Sequence, residues 1–165
     1  MPDMPLPLLD AASSVFIAGP VSMNVAASRP GGFPALSRAV GCRVSSDRRH
    51  VTVLVGAAMA AEVIEGVRRN AAFAAVFSDP PSHRTLQLKG KDAIVLPAEA
   101  GDAALADAYR AGFAAVLEPM GFPPAIIHAF LAVPADDLVT VRFTPSSVFQ
   151  QTPGPHAGEP LGGSA

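Results

Sequence analysis

Residues 69–93 read RNAAFAAVFSDPPSHRTLQLKGKDA. Within them, residues 72–77 are almost wholly apolar, which predicts a strand buried on both faces. Residues 85–89 alternate polar and apolar, which predicts a strand with one wet face. Between the two lies Ser78-Asp79-Pro80-Pro81-Ser82-His83-Arg84, a polar loop. Its two prolines lack the N–H that a sheet ladder needs, so the loop stays outside regular pairing. The loop and the wet face of the strand after it are the expected ligand region.

Upstream of this unit, Gly56 ends an apolar strand over 51–55 and a helix is predicted over about 58–69, with Val63, Ile64 and Val67 inward. Glu65 and Arg69 are spaced for a favourable i,i+4 pair, and no Ser, Thr, Asp or Asn stands where an N-cap is wanted. LSRAVGCRVS and its flanking residues, 35–45, predict one strand, joined to 51–55 by a hairpin turn through Ser46-Asp47-Arg48-Arg49-His50. Residues 15–18 and 22–27 are β-prone with Gly19-Pro20 as a break, and residues 1–14 are expected to be an irregular lead-in.

Downstream, a helix is predicted over 102–120, with Asp102 as its N-cap and Leu105, Tyr109, Phe113, Val116 and Leu117 at helical spacing. Residues 123–132 favour a short helix opening on prolines. A last alternating strand is expected from 138 to about 149. Residues 151–165 form a Pro/Gly-rich tail, expected either to fray or to strap over a partner subunit. Hairpins with helices inserted between them predict a mainly β, α+β domain over 15–150, an antiparallel barrel with helices outside.

The composition bounds the function. The 165 residues are 50% hydrophobic and 16% charged, with net charge −2. That suits one globular domain and gives no electrostatic case for nucleic acid or an anionic membrane. Nine Phe, one Tyr and no Trp leave the core to Val, Leu, Ile and Phe. One cysteine, Cys42, excludes an intrachain disulfide and any cysteine-cluster metal site. The N-terminus lacks a basic leader, and the longest apolar run, 51–61, is too short to span a bilayer. A soluble, cytoplasmic protein is expected.

The order of elements and the residues of 33–93 together resemble the FMN-binding split-barrel family, the pyridoxamine 5′-phosphate oxidase-like proteins. The resemblance rests on Pro34 followed by SRAVGCR, the hairpin, a helix ending in RRN, the strand AAVFSDP, and HRTLQLKGKDA with Gly90. It implies a six-stranded antiparallel split β-barrel, FMN as cofactor, and a homodimer with flavin sites between subunits. Carried over by position, Arg38 and Arg43 fall where the family holds the phosphate. Residues five apart on one regular strand face opposite sides, so a bulge or a single contacting Arg is implied. Val55, Gly56 and the turn through Met59 fall where the family grips phosphate at a helix start. The family's Ser-Arg-Lys-like segment is here GAAMAA, which leaves bare amides and the helix dipole. Arg84 and Thr85 fall where the family carries an Arg and a flavin-contacting Gln; Gln87, two further on and on the same face as Thr85, is expected to address the ring or phosphate with them, and Ser82 and His83 join them in the loop.

Each candidate has a plainer explanation. Arg38, Arg43, Gln87 and Lys89 are ordinary solvated strand residues on that view, and Ser82-His83-Arg84 is surface-loop polarity. His50, His128 and His156 show no metal-ligand spacing; His128 is expected to pack within its helix. Cys42 is expected to be a buried small hydrophobe, and Asp136-Asp137 a turn. The reading is an FMN-dependent oxidoreductase of unspecified substrate. Its alternatives are a non-catalytic split-barrel dimer without flavin, or a variant holding a deazaflavin or haem, the latter with His83 as axial ligand.

Overall fold

The computed structural model describes residues 6–162. These form four α-helices and ten strands in two antiparallel sheets. The strands are β1 (Ser22–Ala27), β2 (Ala35–Arg38), β3 (Cys42–Val44), β4 (Val51–Gly56), β5 (Phe73–Ser78), β6 (Thr85–Gly90), β7 (Ile94–Pro97), β8 (Leu138–Phe143), β9 (Ser147–Gln150) and β10 (Pro160–Leu161). The helices are α1 (Ala11–Ile17), α2 (Ala61–Asn70), α3 (Asp102–Leu117) and α4 (Pro124–Phe130). The large sheet has the order β10-β9-β6-β5-β1-β2 and the small one β3-β4-β8-β7.

The strand–loop–strand unit forms as expected, with Phe73 opposite Gly90 and Ser78 opposite Thr85. β5 differs in its burial: Phe73, Ala75 and Phe77 are buried, whereas Ala74, Val76 and Ser78 are only half-buried. The strand buried on both faces is β4, where every residue from Val51 to Gly56 is buried. An apolar run states that both faces can be buried; β5 owes its mild outer face to alanine, which tolerates either side.

Two expected strands each divide between the sheets. Residues 35–45 become β2, paired with β1, and β3, paired with β4. The chain crosses at Ala39-Val40-Gly41, where a Cβ on Gly41 would lie 3.3 Å from Leu54 Cδ2. Residues 138–149 become β8 in the small sheet and β9 in the large one. The described residues hold ten strands, in sheets of six and four, more than the six of the expected barrel. The two crossings tie the sheets around one core, in which Phe73 of the large sheet meets Phe143 of the small one edge-on, centroids 5.2 Å apart.

The helices follow capping chemistry. Residues 15–17 belong to α1, with Ala18 as its C-cap, and not to a strand, because Asp10 accepts the Ser13 amide at 2.6 Å and nucleates a helical turn. α2 starts without a side-chain cap, as expected, and buries Val63, Ile64, Gly66 and Val67. Arg69 does not pair with Glu65 but donates to the Ser28 carbonyl at 2.7 Å. α3 is capped by Gly101 in the left-handed region, φ 93°, and its last turn tightens to a 3₁₀ turn over Glu118–Met120. Tyr109 stacks on Phe113 and donates to the Val21 carbonyl at 2.8 Å, which fastens α3 to the large sheet. Residues 151–162 fold back as β10 onto β9, with Pro160 opposite Phe149. No helix among the described residues is long and apolar enough to cross a membrane.

Candidate functional site

Antiparallel partners point to the same side of a sheet, so the register of the large sheet defines rows of side chains on its outer face. One row runs Arg38, Asn24, Val76, Gln87, Phe149 across β2, β1, β5, β6 and β9. The next runs Leu36, Ala26, Ala74, Lys89, Ser147, and a third carries Ser22, Ser78 and Thr85. None of these side chains is buried. Three strand spacings put Arg38 and Gln87 on the order of 14 Å apart on one surface. The middle of that surface is paved by Ala26, Ala74 and Val76, with the exposed Asn24 standing between Val76 and Arg38.

Gln87 is positioned by the chain's end. Its side-chain oxygen accepts from Gln151 Nε2 at 3.2 Å, which turns its own amide outward as a donor. Thr85 exchanges a hydroxyl hydrogen bond with Ser78 at 2.7 Å, and its amide donates to Thr152 Oγ1 at 3.0 Å. Arg38 donates to Ser22 Oγ at 3.3 Å and stacks 5.0 Å from the Phe130 ring centroid. Among the described residues it meets no carboxylate.

The structure separates the other candidates from this face. Arg43 lies on β3 in the small sheet. Its guanidinium pairs with Asp102 at 3.0 Å and Glu99 at 3.0 Å, and the Asp102 hydrogen bond, opposed by desolvation, raises its pKa above the usual value. Asp102 was expected to cap α3. It is instead the first helical residue, 3% exposed, and its carboxylate accepts from Arg43 and the Glu99 amide. Arg38 and Arg43 thus stand in different sheets, and their spacing of five is spanned by a crossing, not a bulge.

Val55 and Gly56 are buried in β4. In the turn after them the exposed Ala58 amide lies 3.2 and 3.3 Å from the two carboxylate oxygens of Asp137, and the Ala57 amide donates to the Asp137 carbonyl at 2.8 Å. The anion at this helix start is therefore a side chain of the protein itself. A hollow of about 500 Å³ adjoins it, lined by Met59, Val133 and Asp137 among others.

The Ser82-His83-Arg84 loop satisfies itself. Asp79 accepts the Ser82 amide and hydroxyl, and His83, at φ 60°, donates its amide to the Asp79 carbonyl at 2.8 Å. Arg84 stacks 4.2 Å from the Phe16 ring centroid on α1. Ser82 and His83 are exposed, beside Thr85 at one end of the sheet.

His128 is exposed on α4, because only Ile127 of that short helix turns into the core. Cys42 is buried, and burial pushes its thiol pKa up, so it supplies no thiolate. Asp136 and Asp137 end a 3₁₀ turn over Ala135–Asp137 before β8. The residues that sequence reasoning passed over are Asn24, Ala26 and Ala74, and Asp137 was read only as part of a turn. Asn24, which with Ser22 makes up the polar residues of β1, is the one that signalled a wet face.

No family model matches the sequence, and no curated protein matches it. Solved structures do. An F420 reductase shares 17% identity at a TM-score of 0.53, covering 85% of this chain and 98% of its own. HupZ of Group A Streptococcus shares 13% at 0.53, covering 91% and 100%. A putative pyridoxamine 5′-phosphate oxidase of Lactobacillus delbrueckii shares 18% at 0.51, covering 86% and 93%. The chain therefore has the fold of the pyridoxamine 5′-phosphate oxidase-like proteins, the family that its sequence resembles.

Proposed function

We propose that the protein is a homodimeric, cytoplasmic flavoprotein oxidoreductase of the pyridoxamine 5′-phosphate oxidase-like class, its two sheets being the halves of a split barrel. The observation that carries this is the outer face of the large sheet: a floor of Ala26, Ala74 and Val76 with Gln87 on one side and Arg38 on the other. Such a floor suits a flat aromatic ring, with the Gln87 amide donating to a ring carbonyl and the Arg38 guanidinium facing its far edge. A bound flavin supplies the redox chemistry, and the chain's residues position it and exclude water. The dimer reading is supported by apolar residues left bare on and beside this face: Leu36 is 72% exposed and Phe130, under Arg38, is 57% exposed.

The donor set fits a flavin ring better than the family's phosphate grip, since Arg43 and the Ala58 amide already hold carboxylates. That observation favours a second reading, a split-barrel dimer that binds no flavin. The visible absorbance spectrum, taken before and after FMN is added and the protein is passed through gel filtration, decides between them. A retained flavin spectrum supports the oxidoreductase. A colourless protein that ignores FMN, and F420 in a parallel titration, refutes it in favour of the second reading.

A further inference from the structure

One end of the outer sheet face deepens into a groove of about 480 Å³, bordered by Gln87, Lys89, Lys91, Ser146 and Ser147 over Ala74. Lys89, in β6, and Lys91, in the bend just past its end, are both exposed, flank the buried Gly90 and both line the groove. Gly90 holds this point still: a Cβ there would sit 2.6 Å from Phe143 Cδ2, so the strand end packs backbone against ring. Ser146 pins the same strand from the other side, its amide and hydroxyl donating to the Lys89 carbonyl at 2.8 and 3.2 Å. Ser147 stands opposite Lys89 in the register.

The charges that line the groove are of one sign. Among the described residues neither lysine forms an ion pair. Lys89 reaches over the Phe149 ring at 5.2 Å, and Asp92, the adjacent acid, spends an oxygen on the Thr144 amide at 2.8 Å. Two of the positions expected to hold an anion, Arg43 and the turn after Gly56, are the reverse. Arg43 is neutralised by Asp102 and Glu99, and Asp137 presents its carboxylate at the α2 turn. An anion approaching that turn meets a like charge; one approaching the groove meets two ammonium groups without counter-ions.

We propose that Lys89 and Lys91 form the anion subsite of this protein, taking the phosphate or carboxylate end of a ligand whose flat body lies on the Ala26, Ala74 and Val76 floor. The flat body rests on the flavin reading above; the charged end does not. Riboflavin and FMN differ only in the phosphate, so their affinities separate the two parts. The unaltered protein is expected to bind FMN about tenfold or more tightly than riboflavin, the scale of a charge-assisted contact. Lys89→Gln with Lys91→Gln is expected to bring FMN down to the riboflavin value and leave riboflavin unmoved, while Arg38→Gln keeps the FMN preference. An FMN preference that survives the double substitution, or is absent from the start, overturns the subsite. If neither flavin binds, the flavin reading fails and the subsite is judged by lysine acylation read by mass spectrometry. Protection of Lys89 and Lys91 by inorganic phosphate then supports it, and equal labelling with and without phosphate overturns it.

Discussion

Gly66→Ala sets local preference against packing, and the structure says which prevails. Gly66 is buried in the middle of α2. By helix propensity alone, alanine there is better than glycine by about 1 kcal/mol. Yet a Cβ built on Gly66 falls 2.7 Å from the Ser28 carbonyl oxygen and 2.8 Å from the Ala27 Cβ. Neither atom can swing aside, since one is backbone and the other is fixed to it. Ala27 is moreover paired with Ala35 on one side and Phe73 on the other, so β1 cannot retreat alone. Overpacking of this kind costs about 1–3 kcal/mol, and the immovable partners put it at the upper end. The net expectation is a loss of about 1–2 kcal/mol, a fall in Tm of roughly 2–8 °C for a domain of this size. Urea denaturation followed by far-UV circular dichroism measures it. A variant as stable as the parent with an unchanged m-value would show that α2 does not lie this close to β1. The displaced strand carries Asn24 and Ala26, so the same substitution is expected to weaken flavin binding.

Other perturbations isolate single contacts. Asp10→Ala removes the α1 cap and is expected to cost about 1 kcal/mol. The Ser13 amide, and after it the Ser13 hydroxyl, hold the Asp10 carboxyl below its ordinary 3.8. Its contribution is therefore whole above about pH 4 and fades as the pH falls through the folded value. Asp10→Asn, which keeps a capping oxygen, should flatten that part of the acid limb in a pH series of denaturation curves. Asp102→Ala leaves Arg43 with Glu99 alone and the Glu99 amide without its acceptor; a loss of about 2 kcal/mol is expected by urea titration, and no loss would mean that the pair is solvated away. Leu36→Glu places a charge on the proposed dimer face, so sedimentation should show a monomer with unchanged circular dichroism. A dimer that persists would place the interface elsewhere.

What the sequence determined by itself is local. Alternation over β6, the apolar run of β4, the inward stripe of α2 and the proline start of α4 follow from periods and breakers that need no partner. The positions of Gln87 and Arg38 on strands were legible for the same reason. Tertiary structure alone decided which strands share a sheet. Residues 35–45 and 138–149 each look like one strand, since nothing in a β-prone run marks where it leaves one sheet for the other. That crossing is what parts Arg38 from Arg43 and lines Arg38 up with Gln87, residues 49 positions apart in the chain. Long-range electrostatics made the remaining choices. Asp102 could cap its own helix or meet Arg43, 59 residues away, and Asp137 could face water or the Ala58 amide, 79 residues away. In each case a charge-assisted bond, part-buried at Asp102 and exposed at Asp137, outweighed the local option, and no spacing along the chain encodes that comparison.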